Sequence, residues 1–156
     1  ISAFGRASNL LTGDIRPEGS LRTAVDETIW PFNTDQRISC TGPDLVINGQ
    51  AVTAICMALH ELATNAVKYG ALSSEAGHIA LTWSVCDAMF IMTWIEAGGP
   101  LVIPPKKSGF GSVMIDKALT SAIKGSTEIQ FDPTGVIWTV TTGVKNLQFQ
   151  ADTATH

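Results

Sequence analysis

The sequence predicts an α+β fold in which helices cover one face of a mixed, mainly antiparallel sheet. Three observations support this prediction. The 156 residues suit one domain. Apolar residues make up 45% of the chain and charged residues only 15%, which is typical of a packed globular protein. Helical patterns also alternate with pairs of strand-like runs, as expected for two packed layers.

Composition and charge exclude several classes of function. The net charge is −4 and no run of Lys or Arg occurs, so we expect no nucleic-acid partner. No apolar run approaches the ~20 residues of a membrane span, and the start does not resemble a signal peptide. The three cysteines (Cys40, Cys56 and Cys86) lack metal-binding spacing, and we expect reduced core residues in a cytoplasmic protein.

The first residue is Ile1, so we interpret the chain as a piece of a longer protein. We expect residues 1–13 to be the end of a preceding dimerisation helix. Residues 14–145 should form the domain, and residues 146–156 a tail. The first complete helix should follow Ser20, a residue type that favours the helix N-cap, and Pro31 should end it.

The remaining elements follow from the same patterns. Short strands are expected in QRISCTG and DLVIN, and the longest helix from Gln50 to about Tyr69. HIALTWSVCD and AMFIMTWIEA should form a hairpin that turns at residues 86–88. A Gly/Pro-rich loop, a helix in VMIDKALTSAI and a second strand pair (GSTEIQFDP and GVIWTVTT) complete the order.

The longest helix contains a polar stripe within HELATNAVKYGAL, residues 60–72. A zinc-binding HExxH helix would need His where Thr64 stands, so this is not a zinc site. Each helical residue turns about 100°, which places Glu61, Asn65 and Lys68 on one face, with Thr64 at its edge. The opposite face should enter the core. Its residues are Ile55, Cys56, Leu59, Leu62, Ala63, Ala66 and Val67.

Two interpretations of the stripe remain open from the residues alone. It could be a solvated face, or it could handle a magnesium–nucleotide complex. An amide oxygen is a hard neutral ligand for Mg²⁺, a carboxylate can orient or deprotonate an attacking group, and a Lys can meet phosphate charge. Asn and Thr are mediocre helix formers, which is unusual for a face that is merely solvated.

Three motifs in order resemble one known family. HELATNAVKYGAL resembles the N box of the HWE subfamily of sensor histidine kinases, within the GHKL ATPase superfamily. Trp94-Ile95-Glu96 in TWIEAGGP matches the Trp-x-Glu motif of that subfamily. GFGSVMI resembles the second glycine box at the start of a helix. The resemblance covers roughly residues 1 to 143 and implies the Bergerat fold, a two-layer α/β sandwich that binds ATP and Mg²⁺.

The resemblance also implies roles for individual residues. Glu61 matches the acid that assists phosphoryl transfer, and Asn65 matches the magnesium ligand. Glu96 stands where most of the superfamily has an Asp that accepts a hydrogen bond from the adenine amino group. The other positions implied near the nucleotide are Lys68, Tyr69, Gly98, Gly99, Gly109, Phe110 and Gly111.

Two departures from the wider superfamily are visible. The loop between Gly99 and Gly109 is short and lacks an extra aromatic box, as is usual in the subfamily; its Lys106 and Lys107 either reach phosphate or are solvated. In addition, no His occupies the phosphoacceptor position, which we expect in a helical domain before Ile1. We assign no function to His60, His78 or His156.

The resemblance therefore implies a protein-histidine kinase catalytic domain. It would transfer the γ-phosphoryl group of ATP to a histidine outside this chain, for relay to the receiver domain of a response regulator. Two alternatives stay open. One is a degenerate docking module of a phosphotransfer scaffold that binds no ATP. The other is a stand-alone GHKL serine kinase of the anti-sigma type.

Overall fold

A computed structural model of the chain describes residues 18–103 and 110–148, with side chains for all of these except residues 110–115. Several predictions fall outside this range. They concern the helix end in residues 1–13, Lys106, Lys107 and Gly109 in the loop, and most of the tail. No helix among the described residues is both long and apolar enough to cross a bilayer.

The elements occur in the predicted order. The described helices are α1 (Leu21–Ile29), α2 (Gly49–Lys68) and α3 (Phe110–Ile123). The strands are β1 (Gly19–Ser20), β2 (Ile38–Thr41), β3 (Val46–Ile47), β4 (His78–Cys86), β5 (Met89–Ala97), β6 (Ser126–Asp132) and β7 (Gly135–Gly143).

The main sheet has five strands in the order β2-β4-β5-β7-β6. Strand β2 runs parallel to β4, and the other neighbours are antiparallel. Strands β1 and β3 form a separate antiparallel pair. The predicted α+β fold with a mixed, mainly antiparallel sheet is thus confirmed.

Strand β5 shows why only one face of the sheet enters the core. Its even-numbered residues are buried and its odd-numbered ones are more exposed, because successive side chains point to opposite faces. The buried side chains of α1, α2 and the end of α3 belong to the same hydrophobic cluster as those of the sheet. The buried residues of β5 are Phe90, Met92, Trp94 and Glu96.

Local sequence explains where the first two described helices begin. The Ser20 hydroxyl accepts a hydrogen bond from the Thr23 backbone N–H (3.0 Å), and the Asn48 side-chain oxygen accepts one from Ala51 (2.9 Å). Both are N-cap bonds that satisfy amide groups at a helix start. Pro31 lies in a 3₁₀ turn directly after α1, so the predicted stop is observed.

The cysteine prediction is only partly correct. Cys56 is buried and Cys40 is partly buried, but Cys86 is exposed because it ends β4 at the edge of the hairpin. Burial raises the pKa of the Cys40 thiol to about 11, with a further contribution from the nearby Asp26 carboxylate.

The turn of the β4–β5 hairpin consists of Asp87 and Ala88, which both have positive φ, as a two-residue type I′ turn requires.

The packed domain also extends past the expected boundary at residue 145. Leu147 is fully buried in the core. Its carbonyl accepts a hydrogen bond from the Asn48 N–H (2.6 Å), which ties this segment to the start of α2.

One residue of α2 does not lie where the sequence predicted. Val67 is 48% exposed, so its predicted place in the core is wrong.

Candidate functional site

The polar stripe lies on the C-terminal half of α2. Glu61, Thr64 and Asn65 are partly buried, whereas Lys68 is exposed. The Asn65 side-chain N–H donates a hydrogen bond to Glu61 Oε1 at 3.4 Å. An ionised carboxylate only accepts, so the amide nitrogen must face Glu61 and the amide oxygen must point the other way.

This orientation fits a magnesium ligand at Asn65. Its amide oxygen is the kind of hard donor that Mg²⁺ prefers. Among the described residues, no three His, Cys, Asp or Glu side chains gather into a metal-holding group. Mg²⁺ commonly takes one or two protein ligands and completes its coordination with phosphate oxygens and water.

The chain leaves α2 through a tight turn at Gly70. The Gly70 N–H donates to the carbonyls of Ala66 (3.0 Å) and Asn65 (3.2 Å), and the Tyr69 N–H donates to Asn65 (2.8 Å). The Tyr69 side chain is 76% exposed. The backbone of the turn is therefore anchored to the last turn of the helix, while the aromatic ring faces solvent.

Glu96 on β5 lies against this turn. It is only 5% exposed, and each carboxylate oxygen accepts one hydrogen bond. Oε1 accepts from the Ala71 backbone N–H at 2.9 Å, and Oε2 accepts from the Trp94 indole N–H at 3.0 Å. A Cβ atom placed on Gly70 would clash with Oε1. The fold thus brings the buried carboxylate to the end of the helix that carries Asn65.

The glycines after β5 also have a packing role. Gly98 has a φ of +73°, and a Cβ on it would lie 2.5 Å from the Ala76 carbonyl oxygen. A Cβ on Gly99 would lie 2.6 Å from Ala71 Cα. Both glycines therefore let the end of β5 approach the loop at residues 70–77. Their predicted approach to a nucleotide stays a prediction.

Arg37 holds the same loop and was not singled out from the sequence. Its guanidinium donates hydrogen bonds to four backbone carbonyls of the loop, those of Leu72, Ser74, Glu75 and Gly77. It also forms an ion pair with Asp35 at 2.5 Å. Because the partners of Arg37 in the loop are backbone carbonyls, no pattern of side chains in the sequence predicts these hydrogen bonds. Gly70 was missed as well, since a glycine after a helix is usually explained as its C-terminal signal.

A shallow cleft of about 430 Å³ lies between α2 and the segment before β2. Lys68 and Thr64 line it from α2, and Arg37 and Asp35 line it from the segment before β2. Glu61, Asn65 and Glu96 do not line this cleft.

His60 lies next to Phe32, with ring centroids 5.4 Å apart in an edge-to-face arrangement, so its observed role is a surface contact.

The second glycine box is described only in part. Phe110 and Gly111 are the first two residues of α3, as the motif predicts, while Gly109 lies outside the described residues. A helix start at this position would offer backbone N–H groups to an anion.

Comparisons with known proteins bear on the family and the fold. No protein-family model matches the chain. A blue-light-activated histidine kinase of Brucella anthropi is 34% identical in an alignment of 143 residues that covers 88% of this chain. The chain spans 29% of the length of that relative and therefore matches one part of it.

Solved structures show the same fold. The histidine kinase domain of the Erythrobacter litoralis EL346 blue-light-activated histidine kinase matches with a TM-score of 0.68 at 15% identity, covering 93% of this chain and 81% of that one. The histidine kinase ThkA, solved in complex with the response regulator TrrA, matches with a TM-score of 0.61 at 16% identity, covering 92% and 48%. With the N box, the Trp-x-Glu motif and the mixed sheet in place, the chain belongs to the sensor histidine kinases, and it has the fold of their catalytic domains, the GHKL fold.

Proposed function

We propose that this chain binds Mg-ATP and transfers the γ-phosphoryl group to a histidine that lies outside the chain, as part of an HWE-type sensor histidine kinase in the cytoplasm. One observation supports the proposal above the others. The buried carboxylate of Glu96 lies against Gly70, and the Gly70 N–H donates a hydrogen bond to the backbone carbonyl of Asn65, so both residues lie at the same end of α2. A nucleotide needs both an acceptor for its purine and a site for its phosphates, and residues at this end of α2 would provide the two within one site.

At the purine end, Glu96 would accept a hydrogen bond from the adenine 6-amino group. A carboxylate has about four acceptor sites, and the Ala71 and Trp94 bonds use two of them. Capacity therefore remains for a ligand. The glycines at 98 and 99 would lie along the nucleotide on the same side.

At the phosphate end, Asn65 would hold the magnesium ion, and Lys68 and Tyr69 would lie near the phosphates and ribose. Bound Mg²⁺ would neutralise charge on the phosphate oxygens. Glu61 is within hydrogen-bond reach of Asn65 and would orient the incoming histidine or take up its proton. Phosphoryl transfer depends mainly on positioning and charge stabilisation, and these contacts are of that kind.

The partners follow from the same proposal. The acceptor histidine would belong to an upstream dimerisation domain, and the receiver domain of a response regulator would take the phosphoryl group from it. The complex of ThkA with TrrA shows that a protein with this fold meets a response regulator. We propose a partner of that class here.

A titration with a non-hydrolysable ATP analogue tests the proposal, with Mg²⁺ and with EDTA in parallel. We expect saturable binding that weakens when Mg²⁺ is removed. Absence of saturable binding at millimolar nucleotide would support the docking module instead. If nucleotide binds, supplying the acceptor domain of a related histidine kinase and, separately, an anti-sigma partner with an acceptor serine distinguishes the two kinases. Phosphoserine as the only product would contradict the histidine kinase.

A further inference from the structure

We propose that Trp94 is a positioning residue that holds the Glu96 carboxylate in the orientation that distinguishes a 6-amino purine from a 6-oxo purine. The inference rests on the proposed function, because it assumes that Glu96 contacts the base. It gives a physical reason for the two-residue spacing of Trp94 and Glu96, which the phosphoryl-transfer chemistry leaves unexplained.

The spacing has a direct structural consequence. Residues two apart on a strand point to the same face of the sheet. Trp94 is fully buried on the helix-facing side of β5, and Glu96 follows it on that side at 5% exposure. The indole N–H therefore reaches Glu96 Oε2 at 3.0 Å without leaving the strand. A residue spaced by one or three positions would lie on the opposite face.

Two donors fix the carboxylate from two directions. The indole N–H holds Oε2, and the Ala71 backbone N–H, 25 residues earlier in the chain, holds Oε1. Gly70 closes the space beside Oε1, since a Cβ there would clash with it. The carboxylate is thus held at both oxygens and cannot turn without losing a buried hydrogen bond.

A fixed carboxylate presents only acceptors to a ligand. The 6-amino group of adenine donates to it, whereas the 6-oxo group of hypoxanthine is itself an acceptor and would face it unfavourably. If the indole N–H is absent, only the Ala71 N–H holds the carboxylate, and its other oxygen can turn away from the base. Adenine then loses a well-placed acceptor, and the 6-oxo purine loses the repulsion, so the two affinities should converge.

The matched control is Trp83 on β4, the neighbouring strand. Trp83 is also buried, at 3% exposure, and its indole N–H also donates one hydrogen bond, to the Pro43 carbonyl at 2.7 Å. Trp94→Phe and Trp83→Phe each remove one indole N–H and part of one buried ring. Only the first removes a bond to Glu96.

The experiment measures Kd for ATP and for inosine triphosphate, both with Mg²⁺, in wild type, Trp94→Phe and Trp83→Phe. We expect wild type to prefer ATP, Trp83→Phe to keep that ratio, and Trp94→Phe to lower it about tenfold, as for loss of a hydrogen bond to a charged group. Thermal melts show that each variant is folded. If Trp94→Phe does not fold, benzothienylalanine at position 94 keeps the ring shape and replaces only the N–H by sulfur.

The outcomes separate the two proposals. If wild type binds no nucleotide, both the proposed function and this inference are overturned. If wild type prefers ATP and the ratio in Trp94→Phe or its isosteric replacement stays at the wild-type value, the function stands and the positioning role is overturned. An equal loss of affinity for both nucleotides leaves the ratio unchanged and therefore also overturns it.

Discussion

The two ends of the candidate site are built differently. At the purine end, Glu96 is 5% exposed and both its oxygens accept bonds of 2.9–3.0 Å. At the phosphate end, Lys68 and Tyr69 are exposed, and the bond between Asn65 and Glu61 is long at 3.4 Å. Under the proposed function, the fold presets the contact to the base, whereas the ligand and its cation complete the phosphate end. Changes at the two ends should therefore have different consequences.

The largest effect is expected at the phosphate end, from Asn65→Ala. The variant should lose magnesium-dependent nucleotide binding, with affinity falling about 100-fold or more because a direct ligand is removed. Its stability should change little, since Asn65 is only partly buried. Calorimetric titration with and without Mg²⁺ measures the effect. Gln50→Ala, which removes an exposed amide from the first turn of the same helix, is the control. Equal affinity in Asn65→Ala and wild type would refute the metal role.

Glu61→Gln should separate binding from transfer. Nucleotide affinity should stay near that of wild type, while the rate of phosphoryl transfer to an added acceptor domain falls about 100-fold or more, as for loss of a general base. A rapid-quench assay with labelled ATP at saturating nucleotide gives the rate. An unchanged rate would remove Glu61 from the mechanism.

Gly70→Ala tests the preset purine end. The new Cβ would meet Glu96 Oε1, so the carboxylate must move or the loop must shift. We expect a loss of about 1–3 kcal/mol in the free energy of unfolding, and weaker ATP binding. Gly19→Ala is the control, because a Cβ there meets nothing within 4 Å. Identical stability and affinity in the two variants would show that Glu96 is not confined by this turn.

The smallest effect is expected away from both ends, at Ser20. Ser20→Ala removes the N-cap of α1 and should lower the free energy of unfolding by about 1 kcal/mol without changing ATP affinity. The Ser20 hydroxyl also donates to Asp44 and holds the pKa of that carboxyl below its usual value. A lowered folded-state pKa stabilises the protein above the unfolded-state pKa, and this contribution is lost as pH falls through the folded-state value.

The gap in stability between wild type and Ser20→Ala should therefore narrow in acid, below about pH 4. Urea unfolding at pH 7 and pH 3 measures it. Ser84→Ala, at an exposed strand position, is the control and should show no gap at either pH. A gap that widens in acid would contradict the assigned cause.

Much of the fold was predictable because its signals are local. Ser20 caps the helix that follows it, and the β4–β5 hairpin forms from two adjacent runs with a two-residue turn. For the candidate site, the sequence predicts side chains such as that of Asn65, and these roles stay predictions. The donor that holds Glu96 at residue 71 is a backbone N–H, and the residue type Ala does not predict this hydrogen bond. Arg37 likewise donates hydrogen bonds to carbonyls 35 to 40 residues away. These bonds form only in the folded chain, so the sequence does not predict them.

One nuclear magnetic resonance titration tests most directly whether the two ends bind one ligand. The ¹⁵N-labelled chain is titrated with a non-hydrolysable ATP analogue and Mg²⁺. We predict that the Ala71 backbone amide and the Asn65 side-chain amide shift saturably with the same Kd, while the Trp83 indole stays in place. Saturable shifts confined to the cleft residues Thr34 and Asp35, with Ala71 and Asn65 unmoved, would contradict a site that joins Glu96 to the end of α2.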